Sequence, residues 1–285
     1  LFASEVYGVA PPKPADLAFR VVESNPKALD GRATLKRIVI SFSLGGEPFS
    51  FPLTLFVPNR RAGKAPVFLL LNHRGVDNTD PTRKTRSDFW PVEYAIARGY
   101  AMAAINVAAD VDPDARNATT GLRQFYRAHY PKPETLTWAT LAAWAWSGSR
   151  AVDYFEIDPD IDLAHIAIIG HSRGAKTALW AGASDTRYAL TCVNGTGEGG
   201  SSLARRNFGE TIAGITTNYP HWFTPKYATY GGKAKTDTLP VDTHELIGLV
   251  APRGYHAGEQ TLDVHADPRG SWLALSLALP ACGIE

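Results

Sequence analysis

The chain has 285 residues, of which 45% are hydrophobic and 20% charged, and its formal net charge is +1. This composition supports a folded core, and it excludes a largely disordered chain and a strongly basic nucleic-acid-binding surface. No apolar segment reaches the ~20 residues that a membrane-crossing helix needs. The first residues, LFASEVYG, have neither the basic nor the apolar stretch of a signal peptide. We therefore expect no nucleic-acid partner and no membrane partner.

Strand and helix patterns alternate along the chain. The segments 36–43 and 51–57 alternate in hydrophobicity like two antiparallel strands, joined by a turn at Gly45 and Gly46. Five later apolar runs read as buried parallel strands: 66–72, 100–108, 165–170, 189–195 and 246–258. Helical patterns lie between them at 89–99, at 134–156 and after residue 172. This order predicts a mostly parallel sheet with helices on both faces.

The helical pattern at 134–156 contains three tryptophans, Trp138, Trp144 and Trp146. We interpret them as core residues rather than as a sugar-binding platform. The two cysteines, Cys192 and Cys282, are too few for a disulfide framework. Cys192 lies in an apolar run, so we expect it to be a buried free thiol.

A serine between two glycines follows the apolar run at 165–170. The pattern is Gly170-x-Ser172-x-Gly174, and a small-residue helical stripe comes after it. A G-x-S-x-G sequence between a strand and a helix is typical of a nucleophile elbow, in which bulkier neighbours would collide with the strand or the helix. The sequence therefore predicts that Ser172 is a catalytic nucleophile. It also predicts one α/β-hydrolase domain over residues 1–285, built as a three-layer sandwich.

Several separate segments resemble one enzyme family, the bacterial branch of the glucuronoyl esterases (carbohydrate esterase family fifteen). They occur in the family's order between Val6 and Gly270: GHSRGAKTALWAGASDTRYAL, SSLARRNFGETI, NYPHWF, LPVDTHELIGLVAPR and HADPRG. The resemblance implies an α/β-hydrolase that cleaves the ester between glucuronate, often 4-O-methylated, on xylan and a lignin alcohol. It implies no cofactor and no metal. We further expect a monomer that is secreted or periplasmic and whose partner is a glucuronoxylan or lignin-carbohydrate ester.

Ser172 would attack the uronate carbonyl carbon, and the resulting oxyanion needs hydrogen-bond donors. The backbone N–H of Arg173 lies in the right place for this role. The resemblance adds the Arg173 guanidinium as a second, charged donor. A positive charge in the first turn of a helix is mildly unfavourable, and this misfit favours a functional role for Arg173.

Two further charged residues are expected to bind the sugar. Lys176 lies one helical turn after Ser172, so both side chains project toward the same opening. The resemblance implies that Lys176 hydrogen-bonds sugar hydroxyls and that Glu210 shares this role. His265 stands where the family has a tryptophan that packs beside the sugar, and we place it with these substrate-binding residues.

The acid of the catalytic triad is less directly indicated. Many family members carry a glutamate after the strand that follows the nucleophile helix, but Gly195 occupies that position here. Other bacterial members carry an aspartate after the next strand, which matches Asp263. Asp263 follows a predicted strand, so we expect its carboxylate at the catalytic edge of the sheet. Glu198 and Glu259 are the alternatives for the acid.

The general base is the remaining gap. The family histidine comes about fifty residues after the aspartate, and this sequence ends 22 residues after Asp263. His265 is the only histidine after Asp263, and a separation of two residues is tight for an acid and its own histidine. The sequence thus predicts a domain that lacks its C-terminal histidine segment and is a poor catalyst as it stands.

Three functions stay open on the sequence. The first is a serine esterase of the glucuronoyl type. The second is an acetyl-xylan esterase or a generic carboxylesterase. The third is a catalytically crippled homologue that still binds uronate sugars.

Overall fold

The computed structural model describes residues 1–283. Its eight strands are β1 (Ala18–Lys27), β2 (Ala33–Leu44), β3 (Glu47–Pro58), β4 (Ala65–Asn72), β5 (Ala101–Asn106), β6 (Ile161–His171), β7 (Leu190–Asn194) and β8 (Gly254–Gly258). Its helices are α1 (Ala28–Gly31), α2 (Val92–Ala97), α3 (Leu122–His129), α4 (Thr140–Phe155), α5 (Arg173–Ser184), α6 (Ile212–Asn218), α7 (Pro225–Ala228), α8 (Lys233–Thr236), α9 (Thr243–Gly248) and α10 (Pro268–Ala278).

All eight strands form one sheet in the order β1-β2-β3-β5-β4-β6-β7-β8. Strands β5, β4, β6, β7 and β8 are parallel, whereas β1, β2 and β3 extend the sheet with antiparallel pairing. The predicted hairpin is confirmed, since β2 pairs with β3 along its whole length around Gly45 and Gly46. The carboxyl ends of the five parallel strands lie at the same edge of the sheet, where this kind of fold places its binding sites.

The sheet is buried on both faces. Along β4, Val67, Leu69 and Leu71 pack into a large core that includes α4 and α5, while Leu70 belongs to a second core with α2. A strand whose successive side chains enter two cores must be apolar throughout, which explains the continuous run at 66–72. The predicted three-layer α/β-hydrolase architecture is confirmed.

The tryptophan prediction is also confirmed. Trp138, Trp144 and Trp146 are buried in the large core, with 7%, 0% and 6% of their surface exposed. Cys192 is a free cysteine on β7, as expected, but it is only half-buried. Burial nevertheless raises the pKa of its thiol to about 11.

One predicted strand is wrong in part. The run at 246–258 begins inside helix α9, turns through residues 249–253 and is a strand only over β8. Asp242 and Glu245 form a capping box that starts the helix, and Pro252 has no N–H to donate within a central strand. Strand β1 was not predicted because most of its side chains are exposed and its hydrophobicity does not alternate.

Candidate active site

Ser172 lies at the turn between β6 and α5, at the catalytic edge of the sheet. Its backbone has φ 54° and ψ −127°, a conformation that costs a non-glycine residue free energy. The Ser172 N–H donates to the carbonyl oxygen of Asn194 at the end of β7, at 2.9 Å, and this bond helps to hold the turn. The geometry is that of a nucleophile elbow, which presents a serine hydroxyl outside the sheet.

The two glycines of the motif are sterically required. A Cβ on Gly170 would overlap the carbonyl oxygen of Gly174, and a Cβ on Gly174 would lie 2.8 Å from His73 Nδ1 and 3.0 Å from the Leu71 carbonyl oxygen. Backbone atoms on both sides of the turn cannot move away without breaking strand or helix hydrogen bonds. The close approach of β6 to α5 therefore depends on both glycines.

We expect Gly170→Ala to lower the free energy of unfolding by about 3 kcal/mol, at the upper end of the cost of overpacking, because the added methyl group meets backbone. Gly63→Ala is the matched control, since a Cβ on Gly63 meets nothing within 4 Å. Urea unfolding of both variants measures the difference. Equal stability of the two variants would contradict the close approach at the elbow.

All six residues predicted for the site line one cavity of about 170 Å³. Its lining consists of His171, Ser172, Arg173, Lys176, Gly195, Thr196, Gly197, Glu210, Tyr219, Trp222, Asp263, His265 and Ala266. The loops after β6, β7 and β8 and the segment before α6 all contribute to it. Residues as far apart as Ser172 and His265, 93 positions from each other, thus share one opening at the end of the sheet.

Arg173 is anchored by residues from two distant segments. Its Nη1 donates to Asp114 Oδ2 at 2.5 Å, and Asp114 Oδ1 accepts from His221 Nε2 at 2.8 Å and from Trp222 Nε1 at 2.6 Å. Burial acts to raise the pKa of Asp114, but the hydrogen bonds from His221, Trp222 and Arg173 outweigh it and hold that pKa well below its usual range. The carboxylate therefore stays ionised beside the guanidinium.

Lys176 is a buried charge, with only 2% of its surface exposed. Its Nζ donates to the carbonyl oxygens of Thr196 and Glu198 and to Glu210 Oε2, the last at 2.7 Å. An ammonium group has three hydrogens, so these acceptors use all of them. Lys176 thereby fixes both the loop after β7 and the carboxylate of Glu210.

Glu210 has one oxygen committed and one facing the cavity side. Oε2 accepts from Lys176 and from the backbone N–H of Glu198, whereas Oε1 lies 3.6 Å from His265 Nε2. The His265 side chain is 75% exposed at the rim. Oε1 is thus the carboxylate oxygen that can accept a hydrogen bond from a bound ligand.

The three carboxylates considered for the triad acid lie in different surroundings. Asp263 lines the cavity, and its Oδ1 accepts from the backbone N–H of Ala266 at 3.2 Å. Glu259 follows β8 directly but faces Ser201, and burial raises its pKa. Glu198 is buried among Tyr227 and the Gly199 N–H, and burial raises its pKa to about 7. Asp263 is the one of the three that lines the cavity with Ser172.

No histidine within residues 1–283 forms a hydrogen bond with Ser172 Oγ. His171 Nδ1 bonds Asn194 Oδ1 at 2.6 Å, and His221 is committed to Asp114. His73 lies behind Gly174, where burial and the charges of Arg173 and Arg74 lower its pKa to about 3 and keep it neutral. The described residues thus bring Ser172 and Arg173 together in one cavity without a base in contact with the serine.

No sequence pattern indicated that Asp114, His221 and Trp222 would lie beside Arg173. Asp114 lies in an irregular segment after β5, and 59 positions separate it from Arg173. No periodic pattern connects residues so far apart. The family-like segment NYPHWF contains His221 and Trp222, but its contact with Arg173 exists only in the folded chain.

Within the described part of the chain, no three His, Cys, Asp or Glu side chains are grouped so that they could hold a metal ion. No helix there is long and apolar enough to span a membrane.

Comparison with known proteins places the chain among carbohydrate esterases. The family model "Glucuronyl esterase, fungi" matches residues 40–278. The carbohydrate esterase MZ0003, from an unknown prokaryotic organism, is 38% identical over 96% of this chain and 69% of its own length. A 4-O-methyl-glucuronoyl methylesterase from Podospora anserina is 29% identical over 88% of this chain, which spans 47% of that relative.

Two solved structures of bacterial enzymes match almost the whole chain. A promiscuous CE15 esterase from a marine bacterial metagenome is 36% identical, with a TM-score of 0.84 over 99% of this chain and 77% of that one. The glucuronoyl esterase from Solibacter usitatus is 32% identical, with a TM-score of 0.87 and the same coverage. The chain spans about half the length of the fungal relatives, so it matches only part of them.

Proposed function

The chain belongs to the glucuronyl esterase family, and we propose that it hydrolyses esters of glucuronate by way of a covalent intermediate on Ser172. The observation that carries this proposal is the shared cavity, in which the elbow serine Ser172, the Arg173 guanidinium and the Glu210 carboxylate meet. Of these three groups, an ordinary esterase needs only the elbow serine. A charged carboxylate beside the serine suits a substrate with hydroxyl groups to donate.

In the first half of the reaction, Ser172 Oγ attacks the C6 carbonyl carbon of the uronate ester and loses its proton to a base. The oxyanion that forms would be stabilised by the backbone N–H of Arg173, which is one of the first N–H groups of α5 and has no partner within the helix. The Arg173 guanidinium adds a charged donor. Collapse of the tetrahedral intermediate expels the alcohol, which takes up a proton.

In the second half, water attacks the glucuronoyl ester on Ser172, and the same donors stabilise the second oxyanion. The products are glucuronate and the enzyme with a free serine hydroxyl. Asp263 would act as the triad acid that orients a histidine base and stabilises its charged form. The position of Asp263 in the cavity lining, after β8, supports this role.

The sugar ring would be held on the side of the cavity formed by Lys176 and Glu210. Glu210 Oε1 can accept from a ring hydroxyl, while Lys176 neutralises Glu210 and fixes its orientation. A direct bond from Lys176 to the sugar would require it to release one of its three protein acceptors. His265, on the exposed rim, would contact the far side of the sugar.

The substrate class follows the relatives that are named for it. Fungal relatives are named 4-O-methyl-glucuronoyl methylesterases, which supports 4-O-methyl-glucuronate as the acyl group. We extend this to the ester between glucuronoxylan and a lignin alcohol as the natural substrate. A secreted or periplasmic monomer fits a polymeric substrate of this kind.

A wider ester range is the second candidate. One structural relative, 36% identical, is described as a promiscuous esterase, which favours activity of this chain on acetate or other simple esters as well. Hydrolysis of benzyl glucuronate compared with an acetate ester of similar leaving group distinguishes the two. Faster hydrolysis of the glucuronate ester supports the main proposal, and the reverse order supports a general carboxylesterase.

We expect Lys176→Ala and Glu210→Ala to reduce hydrolysis of glucuronate esters by at least about tenfold. Glu210→Ala removes the carboxylate that would bind the sugar, and Lys176→Ala removes the ammonium group that orients this carboxylate. Hydrolysis of an aryl acetate by the same preparations should change little, which also controls for folding. Lys235→Ala and Glu134→Ala, on exposed surface, serve as matched charge changes. Equal losses on both ester classes would argue against a sugar subsite at Glu210.

A further inference from the structure

We propose that Asp114 is a positioning residue that holds the Arg173 guanidinium in the orientation needed to stabilise the oxyanion. This inference rests on the proposed function, because it gives Arg173 its role as an oxyanion donor. It concerns a residue outside the cavity lining, which acts on the reaction only through Arg173.

Both carboxylate oxygens of Asp114 are occupied by protein donors. Oδ2 accepts from Arg173 Nη1 at 2.5 Å, and Oδ1 accepts from His221 Nε2 and Trp222 Nε1. The His221 side chain is 8% exposed and Trp222 is 2% exposed, so the far side of the carboxylate is fixed to buried groups. Asp114 Oδ2, on the side of Arg173, can therefore restrain this long and flexible side chain.

The guanidinium is also restrained by aromatic rings. Trp222 and Tyr219 stack with their centroids 3.8 Å apart, and the Arg173 Cζ lies 4.5 Å from the Trp222 ring centroid and 5.2 Å from that of Tyr219. A ring face holds a guanidinium close, yet it leaves the group free to rotate in its own plane. The bond to Asp114 removes that rotation.

With Nη1 committed to Asp114, a different nitrogen is available to the substrate. Within residues 1–283, Arg173 Nη2 has no hydrogen-bond partner, and Arg173 lines the cavity beside Ser172. Donors that are already oriented stabilise a transition state without paying for reorganisation. Asp114 thus converts a flexible cation into a fixed donor.

The charge of Asp114 has an effect on the reaction rate that opposes its effect on orientation. The negative charge of Asp114 partly cancels the positive charge of Arg173, so its removal would strengthen the field at the oxyanion if orientation did not matter. A faster enzyme without the carboxylate would therefore mean that Asp114 only screens charge. A slower one means that orientation outweighs screening.

The test uses Asp114→Asn. Asparagine has nearly the same shape as aspartate, and its amide oxygen can still accept a hydrogen bond from His221 or Trp222. Asp112→Asn is the matched control, because Asp112 lies two residues away in the same segment and holds Arg123 at 2.6 Å without lining the cavity. The first readout is the nuclear magnetic resonance signal of the Arg173 guanidinium. We expect distinct, slowly rotating Nη groups in the wild type and in Asp112→Asn, and averaged signals in Asp114→Asn.

The second readout is hydrolysis of benzyl glucuronate in a double-mutant cycle with Arg173→Ala. We expect Arg173→Ala to lower kcat by roughly 10²–10³, as loss of an oxyanion donor does, and Asp114→Asn to lower kcat about tenfold with little change in KM. In the Arg173→Ala background, Asp114→Asn should not lower kcat further, because Asp114 acts on the reaction through the Arg173 guanidinium.

Unchanged guanidinium signals in Asp114→Asn would overturn the inference whatever the activity. A kcat that is unchanged or raised in Asp114→Asn, or that falls equally in both backgrounds, would overturn it too. Absence of any glucuronate hydrolysis by the wild type would instead contradict the proposed function, and the resonance measurement would still decide whether Asp114 orients Arg173.

Discussion

Replacing Ser172 with alanine is expected to reduce hydrolysis of glucuronate esters to near the background rate, while the protein stays folded. Loss of the nucleophile costs about 10⁶ in kcat in a complete triad enzyme, and the remaining rate comes from binding and oxyanion contacts. The substitution removes one hydroxyl that points into the cavity and no core packing. Initial rates with benzyl glucuronate, together with thermal unfolding of the same samples, measure both effects.

Ser276→Ala is a suitable control for this prediction. Ser276 lies on α10, and its hydroxyl donates only to the carbonyl oxygen of Trp272 in its own helix. It should keep full activity and similar stability. Turnover in Ser172→Ala that stays close to the wild-type rate would contradict the nucleophile assignment and leave the cavity without its central residue.

The fold could be predicted largely from sequence because its signals are local. Apolar runs marked every parallel strand, and the elbow motif joined β6 to α5 in the order observed. The two errors in the predicted strands also have local causes. The capping box at Asp242 starts helix α9, whereas the apolar run that follows it resembles a buried strand, and β1 has no buried face to create a pattern.

The site was predicted less completely, because its finer features depend on contacts across the fold. The lysine at position 176 was identified from its helical spacing, but its burial and its three acceptors come from a loop after β7. Asp114 reaches Arg173 only after β5, α5 and the segment before α7 have packed together. No spacing rule predicts such an arrangement.

The contrast between Lys176 and Arg173 explains how one cavity can hold two cations. Lys176 has all its hydrogens bound by protein groups, so its charge orients Glu210. Arg173 keeps a nitrogen without a partner in the described residues and is held from behind by Asp114. Lys176 thus orients the carboxylate that we propose binds the sugar, and Arg173 keeps a donor for the proposed oxyanion.

The 285-residue chain is expected to hydrolyse glucuronate esters slowly on its own and faster when free imidazole is added. Within residues 1–283, no base contacts Ser172 Oγ, and a positioned general base contributes about 10²–10⁴ in rate. Free imidazole that enters the cavity beside Ser172 would accept the serine proton in its place. We expect it to recover at least about tenfold, a fraction of what a positioned base gives.

The rescue should depend on pH in a definite direction. Only neutral imidazole accepts a proton, so at fixed total imidazole the rate should rise as pH increases through about 6 to 8 and then level off. Rates measured with imidazole in the wild type and in Ser172→Ala separate rescue at the serine from direct attack by imidazole on the ester. Ser172→Ala should show no rescue beyond that direct reaction.

His265 provides the decisive comparison, because it lines the cavity and lies two residues after Asp263 in the sequence. Its ring is exposed and lies beside Glu210 in the structure, so imidazole should raise the rate of His265→Ala by a factor similar to that in the wild type, whatever the variant loses in sugar binding. A wild type that is fast without imidazole, and that loses this rate in His265→Ala, would mean that the exposed ring swings to Ser172 and serves as the base. A slow wild type whose rate imidazole raises would instead show that imidazole accepts the Ser172 proton in the cavity that Ser172 and Asp263 line.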